Sequence, residues 1–386
     1  IFISLMASLS PLTQHTILPS VVNIQEHFSL EFERIIYIFS ISTFSMAIMH
    51  VLYGFLSDNF GRKKIILLAL CLYLCSSFLI LTIDHSFLLL LFFRFFQAAG
   101  ACVGIVLSIA IIKDITPIKN TFKIISFVIS ANMAIPIFSP IIGGILNENF
   151  GWKSIHLFLL IVSIPLIIYT LFQLDETNIY TNQGSNKITK EFINLLYNKN
   201  FYILLTISLI TIFTSFTFIA ISPYLVIILK GYDSLDLGFF SFFVSLGFII
   251  GSLISGFIKN ISAYMFIKIG TAVCLLNHFF LLIYLYYSKD FNLIILYFFI
   301  SFSAMGKGLI IPSISGLIVN YNEKISGTSL GFISFIKLIF ASVSIILVAK
   351  IVIQNYILIF LIYFILYIIS FILVYFLYSN KSVYTI

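Results

Sequence analysis

Residues 54–64 read Gly54-Phe-Leu-Ser-Asp58-Asn-Phe-Gly61-Arg62-Lys63-Lys64, a polar and basic turn between two long apolar runs. Glycine permits close backbone approach and sharp reversal, so Gly54 and Gly61 are expected to shape this turn. Asp58 stands just beyond the end of an apolar run, and three consecutive basic residues follow it. Basic residues next to membrane spans are enriched on the cytoplasmic side. The stretch therefore predicts a cytoplasmic turn that joins two membrane helices.

The composition is that of a polytopic membrane protein. Of the 386 residues, 61% are hydrophobic and only 9% are charged, which is more apolar material than a soluble core can bury. The apolar runs are too long for the strands of a membrane barrel, so the expected fold class is an all-α membrane protein. The net charge of +7 is dispersed, with no basic cluster larger than Arg62-Lys63-Lys64. This distribution excludes a nucleic-acid-binding function.

Twelve apolar spans follow one another, each long enough to cross a bilayer core of roughly 30 Å. They fall near residues 1–23, 34–56, 65–83, 86–112, 122–146, 155–174, 201–229, 237–258, 262–287, 291–319, 326–349 and 356–378. A polar stretch separates the first six from the last six. We therefore expect two six-helix repeats around a midplane site, with an N-terminal half at 1–174, a cytoplasmic linker at 175–200 and a C-terminal half at 201–386.

The basic residues of the loops set the orientation. With both termini in the cytoplasm, the cytoplasmic loops hold 13 Lys and Arg and the opposite loops hold five, as the positive-inside rule requires. The first apolar run continues to about Ile24 without a small-residue cleavage site, so it is not a signal peptide. The apolar run already includes Ile1, and we therefore expect a short N-terminal tail before it.

Charged side chains within the membrane cost roughly 2.5–3.5 kcal/mol each and are functional candidates by default. All 14 Asp and Glu fall in loops or at helix ends. The basic residues and histidines that we place within the membrane, away from the ends of the spans, are Arg94, Lys307, Lys337, His15, His50 and His278. We interpret His50 and His278 as structural. No metal-binding, paired-carboxylate, nucleophile or phosphate-loop motif occurs, so we expect neither an enzyme nor a cofactor or metal site.

Three stretches resemble motifs of the major facilitator superfamily. Residues 54–64 match its loop between helices 2 and 3, G-x-L-[SA]-D-x-x-G-R-[KR]-x, at every fixed position. Residues 94–100, Arg-Phe-Phe-Gln-Ala-Ala-Gly, are similar to its helix-4 motif R-x-x-Q-G, with Ala98 where Gly is usual. Residues 139–144, Ser-Pro-Ile-Ile-Gly-Gly, are similar to the antiporter motif of helix 5, G-P-x-x-G-G. Separately from these motifs, the small residues Gly247, Gly251 and Ser255 recur every four residues along one predicted helix. This spacing predicts a helix contact across the two halves.

Residues 10–20, Ser-Pro-Leu-Thr-Gln-His-Thr-Ile-Leu-Pro-Ser, resemble helix 1 of the bicyclomycin/chloramphenicol-resistance (Bcr/CflA) branch of drug/proton antiporters, where S-P-L-x-x-D-x-x-L-P is typical. That branch carries its proton on the aspartate, and here the position is His15. Histidine also titrates near neutral pH. Pro11, His15 and Pro19 are spaced four apart, which places them on one face of a helix. His15 is either the proton carrier or a satisfied polar residue at a helix contact.

The resemblance implies a secondary active transporter that exports drugs or small metabolites in exchange for protons, by alternating access. It also implies a monomer in a bacterial inner membrane, whose partners are the bilayer, protons and a small-molecule substrate. The implied site residues are His15 and Arg94 for proton coupling; His15, Gln97, Lys307 and Lys337 at the substrate cavity; Gly54, Asp58, Gly61 and Arg62 in the gating loop; and Pro140, Gly143 and Gly144 in the antiporter motif.

The sequence also bears on the substrate. Because no carboxylate stands in the middle of a span, neutral or anionic substrates should be preferred to cations. Two alternatives stay open: a nutrient or osmolyte importer on the same fold, and a transport-dead membrane scaffold or sensor, which the missing acid in helix 1 would favour. Neither the substrate nor the direction and stoichiometry of transport follows from these residues.

Overall fold

The computed structural model describes residues 2–116, 118–178, 199–258, 261–288, 290–321 and 326–379, and these residues are almost entirely α-helical. The helices are α1 (Phe2–Thr16), α2 (Val21–His27), α3 (Phe32–Ile35), α4 (Tyr37–Phe60), α5 (Arg62–Leu81), α6 (Phe87–Ile115), α7 (Ile118–Phe150), α8 (Lys153–Phe172), α9 (Lys199–Pro223), α10 (Ser234–Phe257), α11 (Ala263–Tyr287), α12 (Leu293–Tyr321), α13 (Ser326–Gln354) and α14 (Tyr356–Ser379). Each of the twelve predicted spans coincides with one of these helices or with a consecutive run of them.

Ten helical stretches of the described chain are long and apolar enough to cross a membrane. The remaining two predicted spans are the first and the fifth, and the fifth corresponds to the 33-residue helix α7. The first is interrupted, because α1 ends at Thr16 and a 3₁₀ turn at Leu18–Ser20 precedes α2. Pro19 lies in that turn and has no backbone N–H to continue the α-helical hydrogen bonding. The prediction that Pro11, His15 and Pro19 share one helix face is therefore wrong for Pro19.

The described chain folds into two compact units. The first comprises the described residues within 1–183, 222–239 and 334–346, and the second those within 184–221, 240–333 and 347–386. The predicted division into halves at 1–174 and 201–386 stays a prediction. Residues 179–198 of the predicted linker lie outside the described residues.

The core of the first unit forms where α1 and α5 pack against α6. Met6, Leu9, Tyr73 and Cys102 are among its fully buried side chains. Gly100 and Gly104 lie on α6 and let the neighbouring backbones come close. A Cβ atom at Gly100 would stand 2.8 Å from the Tyr73 nitrogen, and one at Gly104 would overlap the Met6 carbonyl. Small residues at such positions are how membrane helices pack tightly.

In the second unit, α11 packs against α12 and α14. Gly270 of α11 and Gly306 of α12 face each other, since a Cβ atom on Gly306 would stand 2.8 Å from the Gly270 carbonyl oxygen. Gly247 and Gly251 of α10 abut the backbone of Ser301 and Met305 on α12. The prediction that this stripe joins the two halves is therefore wrong, because its described neighbours lie inside the second unit.

Gly104→Ala and Gly316→Ala should change stability in opposite directions. The added methyl at 104 meets the Met6 backbone, and overpacking of this kind costs about 1–3 kcal/mol. Gly316 of α12 has no described atom within 4 Å of its Cβ position, so alanine there should gain about 0.5–1 kcal/mol from helix propensity. Thermal unfolding of the detergent-purified variants measures both. Equal stability of Gly104→Ala and the parent would contradict the α1–α6 packing.

Candidate functional site

Residues 54–64 include the end of α4, which runs to Phe60, and the start of α5 at Arg62, so only Gly61 lies between the two helices. Gly61 has φ +95°, a conformation that L side chains rarely adopt, so this glycine reverses the chain before α5 begins at Arg62. Gly54 lies inside α4, and no described atom comes within 4 Å of its Cβ position. Gly61 thus has the predicted role in the reversal, whereas Gly54 makes no close approach in the described part of the chain.

Arg62 is the centre of the polar interactions at this turn. Its Nη1 atom lies 2.5 Å from Asp58 Oδ1 and donates to Ser57 Oγ at 2.5 Å, and its Nε lies 3.4 Å from Asp114 Oδ2. The guanidinium is mostly buried, at 11% exposure, whereas the Asp58 side chain is 64% exposed. Arg62 therefore connects the end of α4 to the end of α6, and Asp58 keeps an open side toward solvent.

The residues that follow α8 also hold the turn, which the sequence did not predict. Glu176 accepts hydrogen bonds from the backbone N–H groups of Arg62 at 2.8 Å and Lys63 at 3.2 Å. A carboxylate at a helix N-terminus satisfies unpaired N–H groups and complements the helix dipole. Asn178 Nδ2 donates to the Asp58 carbonyl at 2.9 Å. In the sequence, Glu176 is one of several polar residues after a span, and nothing sets it apart.

Arg94 lies inside the first unit, on α6. Its side chain is fully buried, and Nη1 donates to Gln97 Oε1 at 2.7 Å. Gln97 is also fully buried; its Nε2 donates to Ser77 Oγ of α5 at 2.8 Å and lies 3.4 Å from His156 Nδ1 of α8. We call Ser77, Arg94, Gln97 and His156 the Arg94 cluster. The predicted places of Arg94 in proton coupling and of Gln97 at the substrate cavity stay predictions.

His156 is the member of this cluster that the sequence analysis missed. It lies three residues after the start of α8, close enough to the predicted start of the span that it does not count among the membrane histidines. The structure buries it fully and places it 6.0 Å from the Trp152 ring. The available signal is that His156 falls inside the predicted span 155–174.

His15 and Lys337 are partly exposed, unlike the members of the Arg94 cluster. Both belong to the first unit, in α1 and α13. Leu338, next to Lys337, packs against the core cluster that contains Met6 and Leu9 of α1. Of the predicted cavity residues, these two therefore have side-chain surface that a ligand could contact.

Lys307 lies in the second unit and is 6% exposed. It is close enough to Cys274 and His278 of α11 to interact with both electrostatically. His278 contacts the rings of Tyr363 and Tyr367 at centroid distances of 5.7 and 5.1 Å. Its Nδ1 lies 2.8 Å from the Cys274 carbonyl oxygen, which fits the predicted structural role. Lys307 thus lies near a thiol and an imidazole, and the two tyrosine rings contact that imidazole.

The antiporter-motif residues of α7 approach neighbouring backbone closely. A Cβ atom on Gly143 would overlap the Thr16 carbonyl at the end of α1, and one on Gly144 would stand 2.9 Å from the Leu235 Cα. Pro140 is buried, and its carbonyl oxygen lies against Gly238 of α10. The motif therefore lies where α7 meets both α1 and α10.

Polar side chains extend this junction along α7. Asn147 Nδ2 donates to Ser234 Oγ at 2.9 Å, and Ser234 Oγ donates to the Pro19 carbonyl at 2.9 Å. Glu148 Oε1 accepts from the Leu235 N–H at 2.7 Å, at the N-terminus of α10. The end of α7 is thereby fixed to the broken first span and to α10.

An aromatic pocket of about 560 Å³ opens between α10 and α12 in the second unit. Its lining is almost wholly apolar and includes Phe240, Phe243, Tyr297, Phe298 and Phe302. The Phe240 and Tyr297 rings are stacked with centroids 4.7 Å apart. Pockets of roughly 300–1,000 Å³ with apolar walls are typical of sites for drug-sized molecules.

Comparison with known sequences finds membrane transporters. The family model of the Major Facilitator Superfamily matches residues 3–344. The multidrug resistance protein MdtL of Escherichia coli O81 (strain ED1a) is 26% identical over 195 residues, which are 50% of this chain and 49% of MdtL. MdtL of Shigella dysenteriae serotype 1 (strain Sd197) matches to the same extent. The chain thus spans about half the length of the curated relatives that it matches.

Two solved structures share the fold. The crystal structure of a D-xylose–proton symporter has a TM-score of 0.75 at 14% identity, over 99% of this chain and 97% of the symporter. A bacterial homologue of the human lysosomal transporter Spinster, inward-facing and unoccupied, has a TM-score of 0.68 at 14% identity, over 88% and 79% of the two chains. At such identities the likeness concerns the fold alone, and it confirms the predicted all-α architecture.

Asp58→Asn should slow transport without unfolding the protein. The change removes the charge that pairs with Arg62 and that, if the gating role implied by the resemblance holds, should contact a helix N-terminus when the cytoplasmic side closes. Interactions of this kind are worth about 0.3–1 kcal/mol when exposed and up to about 2 kcal/mol when partly buried. Flux in proteoliposomes measures the effect, with Asp175→Asn as the matched control. Equal flux in Asp58→Asn and the parent would refute the gating role.

Proposed function

Because this chain belongs to the Major Facilitator Superfamily, it is a multi-pass membrane transporter of small molecules, and we propose that it exports drugs or small metabolites in exchange for protons. The proposal assigns it to the Bcr/CflA type of antiporter, in a bacterial inner membrane with both termini cytoplasmic. The resemblance of residues 10–20 and 139–144 to antiporter motifs supports this assignment. The similarity of half the chain to a multidrug resistance protein supports it as well.

We infer the substrate class from the sign of the charges within the helices. Every described Asp and Glu lies in a loop or in a terminal turn of a helix, whereas Arg94, Lys307 and Lys337 lie well inside α6, α12 and α13. In a low-dielectric interior, like charges repel strongly. We therefore propose that neutral, zwitterionic or anionic molecules are preferred to cations.

The aromatic pocket of the second unit supports an apolar component of recognition. Phenylalanine and tyrosine rings supply a large contact area to drug-sized molecules. The faces of such rings also attract cations by about 0.5–2 kcal/mol. Lys307 belongs to the same unit as the pocket, and its fixed positive charge should offset that attraction, so the pocket favours neutral aromatic compounds in this proposal.

Transport would proceed by alternating access around a midplane site. In this proposal the Asp58–Arg62 turn takes part in closing the cytoplasmic side, and His15 carries the coupled proton. His15 fits the second role because it is partly exposed on α1, in the stretch that resembles helix 1 of the Bcr/CflA branch. A nutrient or osmolyte importer on the same fold is the second candidate, and the absence of an acid at position 15 would fit a proton-independent form of it.

His15→Ala should abolish proton-driven transport and leave substrate exchange intact, because it removes the proposed proton carrier without removing the substrate site. Proteoliposomes with an imposed pH gradient measure the first activity, and counterflow of labelled substrate measures the second. His85→Ala, an exposed histidine of the loop before α6, serves as the matched control. If pH-driven transport survives in His15→Ala at the parent rate, the coupling lies elsewhere or does not exist.

The export proposal is tested in a pump-deficient bacterial host. Cells that express the chain should tolerate neutral amphenicol-type compounds better than ethidium-type cations, because the fixed charges repel the latter. Lys337→Met should reduce the difference in tolerance between the neutral compounds and the cations. The control is Lys350→Met, at an exposed lysine near the end of the same helix, which should leave that difference unchanged. Strong ethidium resistance with no protection against neutral drugs would refute the electrostatic argument. Accumulation of the compounds in place of resistance would instead support an importer.

A further inference from the structure

The buried guanidinium of Arg94 keeps hydrogen-bond donors without partners. Nη1 donates to Gln97, whereas Nε and Nη2 have no hydrogen-bond partner among the residues that the structure describes. The side chain is fully buried. Arginine stays protonated in proteins. A full positive charge with at least three N–H bonds that no described residue accepts therefore lies within the first unit.

His156 adds a further donor beside it. Gln97 Oε1 accepts from Arg94, which orients the amide so that its Nε2 faces Ser77 Oγ and His156 Nδ1. Nδ1 of the imidazole then accepts the amide hydrogen, and a neutral ring with Nδ1 as acceptor carries its own hydrogen on Nε2. That Nε2 is buried and has no partner in the described part of the chain. Arg94 and His156 thus both present unsatisfied donors around Gln97.

No carboxylate of the described residues pairs with the Arg94 cluster. The Ser77 hydroxyl donates to the Tyr73 carbonyl at 2.7 Å, and Gln97 Oε1 already accepts from Arg94. The three ion pairs of the described chain join Arg62 to Asp58, Arg62 to Asp114 and Lys153 to Asp84. A buried charge that is left without an opposite charge is strongly destabilising.

We propose that the Arg94 cluster binds a small monovalent inorganic anion of about the size of chloride. An anion offers only acceptor sites, which complements the donors on Nε and Nη2 of Arg94 and on Nε2 of His156. The negative charge of the anion compensates the positive charge of the Arg94 guanidinium. Arg94, Gln97 and His156 are each fully buried, so a drug-sized substrate does not fit beside them. This inference goes beyond the export proposal and holds whatever the substrate is.

Thermal unfolding of the purified full-length chain in detergent tests the site. The unfolding midpoint should rise saturably as sodium chloride replaces sodium gluconate at constant ionic strength, and bromide should act in the same way. Arg94→Gln should abolish the chloride-dependent rise. His156→Phe keeps a ring in place but removes one donor, so the half-saturating chloride concentration should increase about tenfold. Lys153→Gln is the matched control, a cation one turn before His156 that pairs with Asp84, and should retain the parent response.

Two results would overturn the proposal. One is a parent protein whose midpoint shows no saturable dependence on halide, since water alone would then satisfy the donors. The other is an Arg94→Gln protein that keeps the full chloride response. If Arg94→Gln does not fold, the site is tested by chloride NMR on the parent protein. We expect the chloride line to broaden in the presence of the protein and bromide to reverse the broadening. A chloride line that does not broaden would contradict the site. These measurements need no transport activity, so their outcome does not depend on whether the export proposal is correct.

Discussion

Buried positive charge, with no carboxylate beside it among the described residues, is the constraint on which the arrangement of this protein depends. Arg94 and Lys307 lie within the helices of separate units, each nearly or fully enclosed. Charges at such positions are costly in a membrane and require polar surroundings. The described acidic residues are all at helix ends or in loops, so imidazole, amide, hydroxyl and thiol groups surround the two cations instead. This chemistry separates the chain from proteins that hold cationic substrates with carboxylates.

Each of the two buried cations lies beside a pair of helices that pack closely at a glycine. In the first unit, Gly100 of α6 lies against α5 at Ala69 and Tyr73, and in the second unit Gly306 of α12 lies against α11 at Gly270. Close approach at a glycine brings the next polar side chains of the two helices within reach of each other. Gln97 thereby reaches Ser77 of α5, and Lys307 comes next to Cys274 of α11. The resemblance between the pairs is what two repeats of one helical unit would produce.

The helices could be predicted from the sequence far better than the interactions between them. Length and apolarity place a helix independently of its neighbours, which is why every span coincides with helical structure. The first span is the exception in detail, because Pro19 lies in a 3₁₀ turn and not on a helix face. Glu176 and His156 escaped prediction because their roles depend on partners more than 50 residues away, Arg62 and Gln97. The reversal at Gly61 could be predicted because it depends on local sequence alone, whereas the Asp58–Arg62 ion pair is a finding of the structure.

The most direct test of the central claim is equilibrium binding to the purified protein in nanodiscs. The ligands should be a matched pair, a neutral aromatic compound and its quaternary ammonium analogue of the same shape. Buried positive charge predicts that the neutral member binds at least about tenfold more tightly, which corresponds to about 1.4 kcal/mol, and that Lys337→Glu reduces or reverses the difference. A cationic member that binds as tightly as the neutral one, or more tightly, would contradict the claim.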